Sequence, residues 1–239
     1  MSNSSVSRRN FVRLCGSAAA AMASPSLAGE LKPTRPVALQ WSDGTPVTVA
    51  SLVTDVEYLF FYPYYSTPCF LLRLSSPTAP VDLTTESGRL YRWRGGVGPD
   101  RSLVAFSAIC AHRLTHPSKA VSFIGYRSDP VGILDQKGRL VRRAGVILCC
   151  SEHSIYDPAA GAKVISGPAG QPLAAVDLRD RVDVLEVMGV YGGQLFDRFF
   201  EHFGFRRALE FGEHRYQQPV LGESVVMRVE EYTRQQVRC

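Results

Sequence analysis

The sequence lacks an apolar run long enough to cross a membrane. A membrane-spanning helix needs about 20 predominantly apolar residues. The longest weakly apolar stretch, residues 14–28, has only 15 and contains glycine, serine and proline. The absence excludes a polytopic membrane protein, and the body of the chain is expected to be soluble.

A strong excess of charge of one sign is also missing. The formal net charge of +5 includes three arginines in residues 1–28, a segment without acidic residues. The remainder has 24 basic and 22 acidic residues. This balance does not indicate nucleic acid or an anionic membrane surface as a partner. No internal repeat is present, and the roughly 211 residues after residue 28 suit one all-β domain as well as two smaller domains.

Short runs rich in β-branched and aromatic residues, separated by turn residues, predict an all-β fold. Residues 135–138 and 177–180 are typical of hairpin turns. The predicted strands are residues 36–40, 47–52, 57–62, 69–74, 89–93, 103–109, 121–126, 132–135, 140–148, 162–165, 174–178 and 182–191.

One short helix is predicted near the C-terminus, at residues 194–204. Apolar residues recur there at the spacing of one helical face. Gly204 is expected to end the helix. The apolar face is expected to pack on the sheet, and a partner-binding patch is the alternative.

Two short boxes each offer one thiolate and one imidazole: Cys110-Ala-His112 and Cys150-Ser-Glu-His153. Two irons bridged by two sulfides need four protein ligands, and two cysteines on one iron with two histidines on the other make a Rieske [2Fe–2S] centre. Structural zinc also accepts two cysteines and two histidines. Its finger sites usually carry both cysteines before both histidines. The alternating order here favours the cluster.

The boxes and their surroundings resemble the Rieske iron–sulfur protein family. After the second box come Tyr156, Asp157 and a loop rich in glycine and proline at residues 167–173, and the resemblance covers roughly residues 100–178. It implies an antiparallel β sandwich or barrel, with residues 29–239 as one Rieske domain and a cluster-binding subdomain at about residues 103–175. The implied ligands of one [2Fe–2S] cluster are Cys110, His112, Cys150 and His153.

The resemblance also suggests residues that tune the cluster. In the disulfide-bearing members, a serine two residues and a tyrosine four residues after the ligand histidine donate hydrogen bonds. Ser154 and Tyr156 lie one and three residues after His153, so they are candidates for these roles with a shift of one residue. The loop at residues 167–172 is expected to cover the cluster.

The sequence departs from the family in three ways. The two cysteines that form a disulfide between the boxes in respiratory members are replaced by Thr115 and Glu152, which predicts a lower reduction potential. An insertion at residues 117–147 separates the boxes and is expected to form an extra hairpin, either for partner docking or as a solubilising decoration. Cys149 is expected to be a buried small hydrophobe, with competition for iron as the alternative.

The N-terminus resembles a twin-arginine export signal. Arg8 and Arg9 precede the weakly apolar stretch, and small residues at 26–28 form a plausible cleavage site. Residues 1–28 are therefore expected to be a signal peptide that directs a folded protein to the periplasm. Retention as an anchor and a basic disordered tail are the alternatives.

The resemblance implies one-electron transfer by a redox subunit rather than a stand-alone enzyme. The donor is expected to be a quinol or a dehydrogenase, and the acceptor a cytochrome. The partner is then a cytochrome, a quinol-oxidising complex or a molybdenum oxidoreductase complex, with membrane contact only through a retained anchor or that complex. The alternatives are a zinc-stabilised binding module and a Rieske oxygenase component. The oxygenase also needs a mononuclear iron site, for which only His202 and His214 follow the second box.

Overall fold

The computed structural model describes residues 31–134 and 138–239, and the side chains of residues 35–134 and 138–239. Within these ranges the helices are α1 (Gln194–Phe211), α2 (Val229–Tyr232) and one 3₁₀ turn (Pro158–Ala160). The strands are β1 (Leu31–Gln40), β2 (Glu57–Phe61), β3 (Pro68–Arg73), β4 (Val81–Thr84), β5 (Leu90–Trp93), β6 (Leu103–Ser107), β7 (Val121–Ser122), β8 (Ile124–Arg127), β9 (Val131–Leu134), β10 (Leu140–Arg143), β11 (Val146–Cys149), β12 (Ser154–Asp157), β13 (Lys163–Ser166), β14 (Ala175–Arg181), β15 (Val184–Tyr191), β16 (Glu223–Val225), β17 (Met227–Arg228) and β18 (Gln235–Gln236).

The predicted all-β class is confirmed. The main sheet has eight strands in the order β16-β1-β15-β14-β6-β3-β2-β17, and all its neighbouring pairs except β1 and β16 are antiparallel. Its two edge strands, β16 and β17, are separated in the chain only by Val226. This short connection brings the edges together, so the sheet is a nearly closed barrel. A second sheet has the order β13-β12-β11-β8.

Two hydrophobic cores lie on opposite faces of the central strands. In β3 and β6, successive residues alternate between the two cores, so both strands are apolar on both faces. The first core is covered by Leu195, Phe196 and Phe199 of α1. The second core contains Cys110 and is shared with Ile147, Cys149 and Tyr156 of the four-stranded sheet. The second core therefore joins the two sheets around Cys110 of the first box and the residues that flank the second box.

Helix α1 confirms the predicted helix, but its predicted end at Gly204 is wrong. The helix continues to Phe211. A β-carbon at Gly204 would have room, since its nearest contact would be Tyr216 at 3.6 Å. The position therefore does not require glycine, and the helix continues through it. Phe199 is fully buried in the first core, which confirms packing on the sheet.

Helix α1 also supports the loop of the first box. The rings of Phe199 and Phe203 contact the ring of His116 edge-on, at centroid distances of 4.8 and 4.9 Å. Burial lowers the pKa of His116 to about 4, although its Nδ1 lies 2.8 Å from the carbonyl oxygen of Leu114. His116 is therefore neutral at pH 7 and packs as an aromatic residue.

Several predicted strand boundaries are wrong for identifiable reasons. Residues 47–52 form turns instead of a strand, although Val47 and Leu52 are buried. The predicted strand at 140–148 is divided between β10 and β11 because Gly145 adopts a φ of +68°. Residues 177–180 lie inside β14, and the chain reverses at residues 182 and 183 instead.

The insertion between the boxes contributes both sheet and hairpin. Strands β9 and β10 pair antiparallel, from Leu134 with Leu140 to Val131 with Arg143, which agrees with the expected extra hairpin. Most of its predicted turn, residues 135–137, lies outside the described residues. Strand β8 instead joins the four-stranded sheet beside β11. Part of the insertion is thus integral to the sheet that carries the second box.

The predicted export signal, residues 1–28, lies outside the described residues. Among the helices of residues 31–134 and 138–239, none combines the length and the apolar character that a membrane crossing requires.

A buried ion pair on α1 gives a stability prediction. Arg207 has no exposed side-chain surface and pairs with Glu210, whose second oxygen accepts a hydrogen bond of 3.1 Å from Tyr232. Glu210→Gln leaves a buried guanidinium without its counter-charge, and we expect the free energy of unfolding to fall by about 3 kcal/mol.

Urea denaturation measures this change. Glu86→Gln is the control, because Glu86 pairs with Arg198 at an exposed site and such pairs contribute about 0.5 kcal/mol. Equal losses in the two variants would contradict the importance of burial at Arg207.

Candidate metal centre

The first box lies in a closed turn after β6. The Cys110 amide donates to the carbonyl oxygen of Thr115 at 2.8 Å, and the Leu114 amide donates to that of Cys110 at 2.9 Å. Leu114 has a φ of +57°, which closes the turn. Cys110 is fully buried, whereas His112 is half-buried. The turn therefore places the thiol inside the second core and the imidazole nearer the surface.

The second box occupies the turn between β11 and β12. Cys149 pairs with Ser154 at the end of the two strands, and residues 150–153 form the turn between them. His153 is exposed and has a φ of +54°. The second imidazole thus lies at the tip of a hairpin, at the surface.

Cys150 of the second box and Cys149, which precedes it, face different surroundings. Cys149 is fully buried in the second core with Cys110, which confirms its predicted burial. Interaction with the Cys149 side chain is the main cause that lowers the pKa of Cys110. Cys150 packs at the edge of a third, smaller core that contains Val146 and Leu148.

Cys150 is bonded to Cys239 in a disulfide, with the two Cα atoms 5.8 Å apart. A sulfur in a disulfide offers no thiolate, and a thiolate is the form that binds a metal. Cys150 therefore cannot both form this disulfide and bind a metal, and its predicted role as a ligand stays a prediction. The role of Cys239 was missed, because nothing in the sequence indicates which cysteine lies beside it.

Tyr156, on the strand that follows the second box, bonds to the first box. Its hydroxyl oxygen accepts from the Ala111 amide at 3.1 Å and lies 3.2 Å from the Cys110 sulfur. Burial raises the pKa of Tyr156, so the phenol keeps its proton. Toward a Cys110 thiolate, which has no hydrogen to donate, the phenol is the donor. This bond stabilises negative charge on that sulfur.

Two polar atoms near these cysteines are buried without a hydrogen-bond partner among the described residues: His112 Nδ1 and Ser154 Oγ. Nearly all buried polar groups in proteins have a partner. A ligand held by the cysteines would supply one for each atom. The chemistry of the residues thus fits a group bound by two sulfurs and by the Nδ1 atom of a histidine, with a hydroxyl donor beside it.

The loop at residues 167–172 packs on the backbone of the second box. A β-carbon on Gly167 would collide with the His153 carbonyl oxygen and lie 2.6 Å from the Ser154 Cα. Asp157 has a structural role, since it caps the 3₁₀ turn through the Ala159 amide at 3.1 Å and pairs with Arg143. The coverage of a cluster by this loop stays a prediction.

Across residues 31–134 and 138–239, no group of three or more histidine, cysteine, aspartate or glutamate residues is arranged so that it could hold one metal ion. A cluster of two irons takes its protein ligands in two pairs, one for each iron. The structure brings two cysteines, Cys110 and Cys149, into one core. The full set of Cys110, His112, Cys150 and His153 stays a prediction.

Comparison with known proteins gives a limited result. No protein-family model matches the chain. Among solved structures, the chain is similar to the soluble domain of the Rieske protein II (soxF) from Sulfolobus acidocaldarius, with 24% sequence identity and a TM-score of 0.44. The match covers 67% of this chain and 82% of that chain. Arguments about function therefore rest on the residues of this chain.

The close approach at Gly167 gives a testable prediction. Gly167→Ala adds a β-carbon against backbone atoms of the second box at a φ of +87°. We expect the free energy of unfolding to fall by about 3 kcal/mol, because the left-handed conformation and the collision both cost energy.

Gly170→Ala, in the same loop, is the matched control. Its β-carbon would meet only the side chain of Glu86, at 3.4 Å or more. We expect a change within about 0.5 kcal/mol in urea denaturation. A Gly167 variant as stable as the Gly170 variant would show that the loop does not depend on this contact.

Proposed function

We propose that this protein transfers single electrons through one Rieske-type [2Fe–2S] cluster. The ligands are Cys110, His112, His153 and one cysteine of the Cys149-Cys150 pair. The observation that carries the proposal is the burial of Cys110 and Cys149 in one core, with the Tyr156 hydroxyl 3.2 Å from the Cys110 sulfur and with the His112 Nδ1 atom buried without a partner among the described residues.

The residues divide the site into a buried half and a surface half. Cys110 and Cys149 are fully buried, whereas His112 is half-buried and His153 is exposed. When bound, such a cluster supplies a one-electron couple, in a range of roughly −150 to +300 mV. The buried thiols protect their end of the site from water. The exposed imidazole of His153 offers the point where a partner protein comes closest.

The hydrogen bonds of the chain tune the site. The Tyr156 hydroxyl withdraws negative charge from the Cys110 sulfur, and the Ser154 hydroxyl is buried without a partner among the described residues, so it can donate to a bound group. Bonds of this kind favour the more negative, reduced state of a metal centre and raise its potential. We assign this role to both residues.

The location and partners are part of the proposal. The Cys150–Cys239 disulfide supports an oxidising compartment, in agreement with the twin-arginine signal expected at residues 1–28. We propose a periplasmic redox subunit that takes electrons from a quinol or a dehydrogenase and passes them to a cytochrome.

The test is electron paramagnetic resonance of the dithionite-reduced protein, beside analysis of iron and acid-labile sulfide. We expect a rhombic Rieske-type spectrum with two irons and two sulfides for each chain. A silent sample with one zinc and no sulfide would contradict electron transfer and support a zinc-stabilised module. Additional mononuclear iron would support an oxygenase component.

The hydrogen bond of Tyr156 gives a further prediction. Tyr156→Phe removes a donor to the Cys110 sulfur and leaves the cysteines in place. Loss of about 1 kcal/mol of preferential stabilisation lowers a one-electron potential by roughly 40 mV. Protein-film voltammetry measures the shift, and the iron content is expected to stay unchanged.

Tyr58→Phe is the control for this variant. Tyr58 is also buried, but it lies in the first core, where its oxygen accepts a bond from the Val53 amide. Its midpoint potential is expected to equal that of the unaltered protein. Equal potentials in all three proteins would remove Tyr156 from the account.

A further inference from the structure

We infer that Cys149, rather than Cys150, supplies the second thiolate of the cluster, and that Cys150 joins Cys239 to fasten the end of the chain to the second box. The inference rests on the proposed function, since it assigns a ligand to the same site. It also assigns a structural disulfide to a chain that has no cysteines at positions 115 and 152.

Strand geometry separates the two neighbouring cysteines. Successive side chains of a strand point to opposite faces of the sheet. Along β11, Ile147 and Cys149 face the second core, whereas Val146 and Leu148 face the third core. Cys150 comes directly after β11 and packs at the edge of the third core, on the side of Val146 and Leu148.

The second core is the one that contains the cysteine of the first box. Cys110, Cys149 and Tyr156 all lie in it. Two thiolates on one iron have to lie side by side. Cys149 faces the core that contains Cys110, whereas Cys150 packs at the edge of the third core.

The bonds around Cys150 fix it on the other face. Its partner Cys239 ends a segment in which β18 runs parallel to β7, beside the insertion. The Arg127 side chain donates to the Val237 carbonyl oxygen at 2.8 Å, and the Val237 amide donates to that of Ser122 at 2.9 Å. The C-terminal segment is thus held beside Cys150 independently of the disulfide.

The disulfide therefore ties three parts of the chain together. It links the turn of the second box to a segment 89 residues further along the chain. That segment is in turn paired with β7, which follows the first box. The cluster loops are held by this connection, while both Cys110 and Cys149 stay available as thiolates.

The first measurement is a cysteine map of the purified wild-type protein. The protein is denatured without reductant, alkylated and digested, and the peptides are identified by mass spectrometry. We expect one cross-linked peptide pair that contains Cys150 and Cys239, with Cys69, Cys110 and Cys149 alkylated. A free Cys150 in a protein with full iron content would overturn the inference.

Variants test the ligand assignment directly. Cys149→Ser is expected to lower the iron and sulfide content to below about a tenth of the wild-type value, because a ligand is lost, while the Cys150–Cys239 cross-link remains. The double variant Cys150→Ser/Cys239→Ser is expected to keep two irons, two sulfides and the rhombic spectrum. Its thermal midpoint is expected to fall by about 10 °C.

Cys69→Ser is the matched control. Cys69 is a buried cysteine whose thiol donates to the Tyr62 carbonyl oxygen at 3.0 Å, a bond that serine can replace. This variant is expected to keep both the cluster and the cross-link. If the double variant does not fold, the wild-type cysteine map decides, since a sulfur found in the cross-link of the iron-loaded protein is not a ligand.

Failure of the inference differs from failure of the proposed function. Loss of iron in a folded Cys150 variant, with iron retained in Cys149→Ser, would overturn the assignment and leave the Rieske function intact. A wild-type protein that contains zinc and no sulfide would overturn both.

Discussion

The site depends on one constraint: the second core holds Cys110, Cys149 and Tyr156 together, with the Tyr156 hydroxyl 3.2 Å from the Cys110 sulfur. The three residues come from separate parts of the chain: the turn after β6, the end of β11 and the middle of β12. They meet because the second core is shared by the eight-stranded and the four-stranded sheets. Any change that separates the two sheets would therefore separate the two sulfurs.

The local pattern of the boxes predicts that cysteines and histidines come together. It does not predict which of the two neighbouring cysteines, Cys149 or Cys150, lies in the same core as Cys110. The strand periodicity predicts most of β2, β3, β5, β6 and β15, whose apolar residues are dictated by the two cores. The choice between Cys149 and Cys150 depends on the face of β11 to which each points. That face is set by the pairing of β11 with β8 and β12, which lies beyond any local pattern.

The same limit explains the missed disulfide. Cys239 lies beside Cys150 because β18 pairs with β7 and Val237 bonds to Arg127 and Ser122, and both strands are two residues long. Such short strands have no periodicity to detect.

On the proposed function, counting from Cys149 also accounts for the one-residue shift noted at Ser154 and Tyr156. They lie five and seven residues after Cys149, the spacing from ligand cysteine to serine and tyrosine in the family that the sequence resembles. The position that differs is the histidine, because His153 lies four rather than three residues after Cys149.

A crystal structure with an iron anomalous difference map tests the central claim most directly. The account predicts two iron peaks between the boxes, one beside the sulfurs of Cys110 and Cys149 and the other beside the imidazoles of His112 and His153. It also predicts continuous density between Cys150 and Cys239. A single peak, or iron bound to the Cys150 sulfur, would contradict the account.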